Sequence, residues 1–173
     1  MGTNQNRNIV LIGMPGVGKS TLGVVLAKDL GYDFVDTDLL IQHRAKQTLA
    51  GFIQDHGYQA LRTLEAEVIS SLDVKQTVIA TGGSAVYSDT AMTHLGTGGH
   101  IIYLRCSLAK LDQRIASMAD RGIAAPPGQS LDEIEAERAP LYQRYANHMV
   151  DLTELDMQQA SARLRQVVRD LAV

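Results

Sequence analysis

A short strand-like run, residues 8–12, leads straight into Gly13-Met14-Pro15-Gly16-Val17-Gly18-Lys19-Ser20-Thr21. Few local sequences constrain a fold more. The glycines let successive backbone N–H groups turn inward with no Cβ in the way. Behind them, residues 21–30 place Leu22, Val25, Leu26 and Leu30 at helical spacing. Strand, glycine loop and helix in that order make a cradle for phosphates at a helix N-terminus. The match to G-x-x-x-x-G-K-[ST] is complete, so the stretch from Gly13 to Thr21 is expected to wrap a nucleotide, with Lys19 bridging the outer phosphates and Ser20 offering its hydroxyl to magnesium. A nucleoside triphosphate with Mg2+ is the implied ligand, and transfer of its terminal phosphoryl group the implied reaction.

The rest of the chain alternates short apolar runs with helical patterns. Residues 32–35 form a second run ending in Asp36-Thr37-Asp38, after which a helix is expected to carry Leu39, Leu40, Ile41 and Ala45 toward the core. Residues 49–72 read as helical, with Leu61, Leu64, Val68, Ile69 and Leu72 on one side. Residues 77–80, 100–104 and 148–152 are strand-like, and helices are expected at residues 107–118, 131–146 and 157–171. Such alternation predicts a three-layer α/β/α fold, with ligands at the carboxyl ends of a five-stranded parallel sheet. Residues 120–130, with Gly122, Pro126, Pro127 and Gly128, cannot form a regular helix. They read either as a surface connection or as a mobile lid near residues 119–131.

With 173 residues, 45% of them hydrophobic, the chain suits one domain, residues 1–173. A formal charge of −3 argues against a sequence-independent grip on nucleic acid, and the absence of Trp against base-stacking platforms. No stretch has the length and apolarity of a membrane span, and the polar first residues lack the core of a secretory signal, so a cytoplasmic protein is expected. Cys106, at the end of an apolar run, reads as buried. The five histidines have no metal-site spacing and read as surface or strand-end residues.

Several polar residues fall where ligands would sit. Asp36 and Asp38 follow the second strand; one could hold a magnesium-bound water and the other accept a hydroxyl proton, or either could cap the helix that follows. Arg62 and Glu65 are spaced i to i+3 on one helix face, which suits either a surface ion pair or a glutamate holding an arginine fork for an anion. Gly82-Gly83-Ser84, after a buried strand, either frees backbone N–H groups for an anion or makes a tight turn. Arg138 and Arg121 complete the candidate cations. Phosphoryl transfer needs such charge neutralisation together with alignment of the acceptor.

In their order along nearly the whole chain, these motifs resemble the shikimate kinase family, a small single-domain branch of the P-loop kinases. The D-[ST]-D segment is matched by Asp36-Thr37-Asp38, G-x-x-x-F-R-x-x-E by residues 57–65, the Gly-Gly-Gly turn by Gly82-Gly83-Ser84 and R-x-P-L-Y by residues 138–142. The resemblance implies strand order 2-3-1-4-5, and ATP with Mg2+ phosphorylating the 3-hydroxyl of shikimate, a small hydroxylated carboxylic acid, in a protein expected to be monomeric. It assigns Asp36 to magnesium, Asp38 to the acceptor hydroxyls, Arg62 and Arg138 to the carboxylate, Arg114 to the adenine side, and Lys19 with Arg121 to the moving phosphoryl group. The turn Gly82, Gly83 and Ser84 belongs to the acceptor side. Three features depart from the family pattern: Ser84 replaces the third glycine, Leu61 replaces the phenylalanine, and where the family usually has Arg-Pro-Leu-Leu in the lid, Arg121 is here followed by Gly122-Ile123-Ala124-Ala125. A kinase for another hydroxy acid such as gluconate, or a non-catalytic binding domain, are the alternative functions.

Overall fold

The computed structural model describes residues 7–116 and 122–171. Strands β1 (Asn8–Ile12), β2 (Asp33–Asp36), β3 (Thr77–Ala80), β4 (Gly99–Arg105) and β5 (His148–Asp151) form one sheet in the order β2-β3-β1-β4-β5, with every pairing parallel. This is the order the resemblance implied. β1 and β3 are buried along their whole length, which is why they read as unbroken runs rather than alternating ones. Cys106 is buried, and no helix among the described residues is long and apolar enough to cross a membrane.

The helices are α1 (Lys19–Leu30), α2 (Thr37–Ala45), α3 (Leu49–His56), α4 (Tyr58–Ser70), α5 (Asp89–Gly98), α6 (Leu108–Ala116), α7 (Leu131–Tyr145) and α8 (Met157–Leu171), with a 3-10 turn at Ala85–Tyr87. Gly31 closes α1 in the left-handed conformation that a helix C-terminus favours. Asp36 caps α2 by accepting from the backbone N–H of Asp38 at 3.0 Å. Ser130 and Glu133 form a reciprocal capping box at the start of α7.

Four expectations need correction. The helical stretch over residues 49–72 is two helices, because Gly57 at φ 85° turns the chain between α3 and α4. Of the α2 residues expected to point inward, Ile41 is buried, whereas Leu39 is 63% and Leu40 38% exposed; consecutive residues of a helix are about 100° apart and cannot share one face. Val25 of α1 is likewise exposed. Finally, α5 was not foreseen, since Gly96 and Gly98 dilute its pattern; Ser88 caps it, and Ala91, Met92 and Leu95 bury its inner side. The segment 122–130 contains no helix, as its prolines and glycines require.

Close approach of α1 to the sheet depends on Gly23, where a Cβ would lie 2.8 Å from Phe34 Cε2 and 3.3 Å from Leu11 Cδ1. Alanine is the better helix former by about 1 kcal/mol, while overpacking costs roughly 1–3 kcal/mol. Gly23→Ala is expected to destabilise by about 1 kcal/mol net in urea unfolding; a gain in stability would mean that Phe34 moves aside freely.

Candidate active site

Three strand ends meet at one edge of the sheet and are clipped together there. Thr81, just past β3, donates to the carbonyl of Leu11 through both its backbone N–H (3.2 Å) and its hydroxyl (3.0 Å). The next N–H, of Gly82, donates to Thr37 Oγ1 at 3.1 Å, and Tyr142 of α7 donates its hydroxyl to the carbonyl of Gly83 at 2.6 Å. Both threonines are buried. The turn from Gly82 to Ser84 is thereby pressed against the glycine loop: a Cβ on Gly83 would lie 2.8 Å from Pro15 Cδ.

The glycine loop runs from β1 into α1 with Gly13, Gly16 and Gly18 at φ 143°, 80° and 109°. Those values suit glycine and penalise any other residue. Lys19 Nζ folds back across the loop and donates to the carbonyls of Gly13 (2.7 Å) and Met14 (2.9 Å). From α6, Arg114 Nη1 donates to the carbonyls of Gly16 (3.3 Å) and Val17 (3.1 Å). Arg114 therefore straps the loop from outside while bordering the cavity. The side chains of Met14 and Val17 belong to the core, so these two residues offer a ligand their backbone alone.

A cavity of about 240 Å³ extends from this loop to the acceptor side; Pro15, Gly16, Gly18, Lys19, Ser20 and Thr21 line one end, and Asp38, Gly82, Gly83, Ser84 and Arg138 the other. A side hollow of about 150 Å³ opens beside it, bordered by Ser20, Asp36, Asp38 and Gln42. One hydroxyl and two carboxylates beside a phosphate cradle fit magnesium, which keeps most of its waters and takes few protein ligands. Among the described residues no group of three or more His, Cys, Asp or Glu is placed to hold a metal ion.

Glu65 does not hold Arg62. It points inward from α4 along the stripe of Leu61, Val68 and Ile69, is 2% exposed, and accepts from the Ser84 hydroxyl through Oε2. Its Oε1 has no hydrogen-bond partner, and a Cβ on Gly82 would collide with that oxygen and lie 2.8 Å from Asp38 Oδ1. Only glycine fits between the two carboxylates. Burial, opposed by the Ser84 hydrogen bond and reinforced by the nearby charge of Asp38, pushes the Glu65 carboxyl up to about 7.

Arg62 and Arg138 converge from α4 and α7 on a single oxygen. Arg62 Nε (3.1 Å) and Arg138 Nη2 (2.8 Å) both donate to the carbonyl of Ala124, which the segment after residue 121 tucks into the cavity. Ala124 is itself buried among Ile41, Leu61 and Val68. Arg138 is 1% exposed, yet among the described residues it has no carboxylate at ion-pair distance, and the buried Nη2 of Arg62 has no hydrogen-bond partner. Under both arginines lies Tyr87.

Every expected site residue within the described part of the chain lies at this edge. Arg121 lies outside the described residues. Sequence reasoning missed Thr37 and Thr81 as clips, Tyr87, the Ala124 carbonyl, and Met157, which lines the cavity with Arg114. One signal was available: Glu65 sits four residues after Leu61 and three before Val68, on the apolar side of its helix.

The glycine loop between β1 and α1 and the order 2-3-1-4-5 define a P-loop kinase fold. The family is narrower. The model of the shikimate kinase family matches residues 15–169, and the chain belongs to that family. It is 35% identical over 153 residues to "Shikimate kinase 2" of Yersinia pseudotuberculosis serotype O:3 (strain YPIII), covering 86% of this chain and 88% of the relative. Among solved structures it resembles shikimate kinase from Acinetobacter baumannii in complex with shikimate, at TM-score 0.80 and 29% identity over 95% of this chain and 92% of that one. Shikimate kinase from Bacteroides thetaiotaomicron aligns at TM-score 0.78 and 26% identity over 95% and 99% of the respective chains.

A carboxyl that binds its proton more tightly when folded makes stability fall as pH rises from its ordinary value of 4.5 toward about 7, and stay level above. At roughly 1.4 kcal/mol per unit, the penalty is about 3 kcal/mol at full ionisation. Glu65→Gln, which keeps an acceptor for Ser84, should therefore gain on the parent protein by up to about that amount between pH 5 and pH 8 in urea titrations. An equal difference at both pH values would show that Glu65 does not titrate in this range.

Proposed function

We propose that the chain transfers the terminal phosphoryl group of ATP to the 3-hydroxyl of shikimate. The observation that carries this is the pair Arg62 and Arg138, two guanidinium groups aimed at one oxygen inside a cavity whose other end is a phosphate loop. A buried cation with only neutral acceptors is costly, and a carboxylate between the two would complete it. The Ala124 carbonyl marks where one carboxylate oxygen would sit, so the acceptor replaces it on binding. Membership of the shikimate kinase family and the likeness to a structure solved with shikimate support the same acceptor.

On this reading the chain works as a single-domain cytoplasmic monomer, with residues 119–131 as its lid. The backbone N–H groups from Gly13 to Ser20 wrap the phosphates, Arg114 keeps the loop in shape, and Lys19 leaves its loop carbonyls to neutralise charge on the moving group. Ser20 and Asp36 would hold magnesium, which supplies further charge neutralisation when bound. Gly82, Gly83 and Ser84 bound the ring of the acceptor, and Arg62 and Arg138 fix its carboxylate. Asp38 orients the hydroxyl and takes its proton as the oxygen bonds to the terminal phosphorus and the bond to the ADP oxygen breaks. Arg121, from the lid, would add positive charge at the same phosphoryl group.

ADP release, measured with shikimate, gluconate and a panel of sugar acids, tests this directly. Turnover with shikimate alone is expected; turnover with gluconate would move the chain to another acceptor, and binding without ADP from any acid would make it a non-catalytic domain. Arg62→Ala should raise the KM for shikimate roughly 10- to 100-fold, the range for a lost charge-assisted hydrogen bond, with the KM for ATP unchanged. Equal losses for both substrates would make Arg62 structural. Lys19→Ala should abolish turnover in a protein that melts normally, and retained activity would remove the loop lysine from the chemistry.

A further inference from the structure

Tyr87 closes the 3-10 turn Ala85–Tyr87 immediately after the Gly82-Gly83-Ser84 turn. Its ring lies 3.7 Å from the Arg62 guanidinium carbon and 5.3 Å from that of Arg138, measured to the ring centroid. Its hydroxyl accepts from Arg138 Nε at 3.3 Å and hydrogen-bonds the Glu137 carboxylate. One residue thus touches both arginines, by two different kinds of contact.

The two contacts solve a problem that an acid-binding site always has. A long arginine side chain loses about 2 kcal/mol of rotamer freedom when it is fixed, and the usual way to fix it is a carboxylate. Such a partner would occupy the same N–H edge that the ligand needs and would cancel the charge that attracts it. An aromatic face holds a guanidinium by its flat side, leaving the N–H edge free and the charge intact. Arg62 fits this arrangement: its guanidinium carbon lies over the Tyr87 ring, closer than to the Tyr58 ring at 5.0 Å, its Nε meets Ala124, and its Nη2 remains without a hydrogen-bond partner. For Arg138, the Tyr87 hydroxyl takes Nε and leaves Nη2 for the Ala124 carbonyl. Glu137 hydrogen-bonds both the Tyr87 phenol and Gln129.

We propose that Tyr87 is a positioning residue for acceptor recognition: its ring orients Arg62, its hydroxyl orients Arg138, and together they set the spacing of the clamp that receives the acceptor carboxylate. This rests on the acceptor being a carboxylic acid phosphorylated at this site. The contacts of Tyr87 named above are to the arginines and Glu137, none of them in the phosphate loop. Its effect therefore falls on acceptor binding and spares ATP.

The test is steady-state kinetics on Tyr87→Leu and Tyr87→Phe, with shikimate and with an otherwise identical cyclic triol that lacks the carboxylate. Tyr87→Leu should raise the KM for shikimate about tenfold, the scale of a desolvated cation–π contact, with kcat and the KM for ATP held within about twofold. Tyr87→Phe keeps the ring and should show about a threefold rise. Neither variant should change the KM for the triol, because without a carboxylate the clamp has nothing to bind. In an Arg62→Ala background the cost of Tyr87→Leu should shrink to below about threefold, as coupled residues require. A shikimate KM unmoved in the variants, or an equal loss for shikimate and triol, overturns the role of Tyr87 while leaving the kinase assignment standing. Should Tyr87→Leu not fold, Tyr87→Phe decides alone, by the same comparison of shikimate with triol. A parent protein that phosphorylates no acid would instead overturn the function itself, and the role of Tyr87 with it.

Discussion

The two hydrogen bonds from Thr81 to the carbonyl of Leu11 hold the whole site in register. Parallel strands end at a common edge but do not by themselves fix how their outgoing loops lie against each other. Thr81 ties the exit of β3 to Leu11 near the end of β1, so the glycine turn that follows cannot slide relative to the phosphate loop. Thr37 does the same on the other side by accepting from Gly82, which locks the start of α2 and therefore Asp36 and Asp38. With the backbone fixed at three strands, Tyr142 can reach in from α7 to Gly83 and bring Arg138 with it. A site for two substrates is assembled from loops that are far apart in sequence by buried bonds to main-chain groups.

Within that frame the charges are unevenly matched. The four ion pairs among the described residues are solvent-accessible, each with both partners at least about a third exposed, where such pairs contribute little. Two buried ionisable groups, Glu65 and Arg138, are by contrast in none of the ion pairs among the described residues. Glu65 meets a serine and stands close to Asp38, and Arg138 meets a phenol and a carbonyl. In the interior Gly82 abuts the acids and Gly83 the base: a Cβ on Gly82 would meet Glu65 Oε1 and Asp38 Oδ1, and one on Gly83 would lie 2.9 Å from Arg138 Nη1. The low polarity there strengthens any charge that a ligand brings in.

Much of this was legible in the sequence, and what was not has definite physical causes. The glycine loop is a continuous segment whose chemistry and conformation are written in the same nine residues, so it and its strand and helix could be read directly. The parallel sheet followed from alternation alone. The i to i+3 rule placed Arg62 and Glu65 together because it assumes a solvated helix face; in the structure the helix turns Glu65 into the core and Arg62 toward Tyr87. Thr37 and Thr81 carry no motif, since a hydroxyl that meets a distant backbone group has no local signature. The Ala124 carbonyl is the extreme case, for every residue has one.

That anonymity of the Ala124 carbonyl has a thermodynamic consequence. On the proposed reading, an acid entering the clamp would exchange hydrogen bonds at Arg62 Nε and Arg138 Nη2, which Ala124 already engages, and would add them only at donors such as Arg62 Nη2 that have no partner. The net enthalpy of recognition is then the difference between a charged and a neutral acceptor, and it is offset by whatever apolar contact Ala124 loses against Ile41, Leu61 and Val68. Because the competing group is main chain, side-chain substitutions along residues 122–125 can alter how firmly the segment is seated without altering the oxygen it presents. On that reading, the departure of this stretch from the family's usual sequence would change the anchoring of a competitor, and acceptor affinity would be tuned at residues the acceptor itself need never touch.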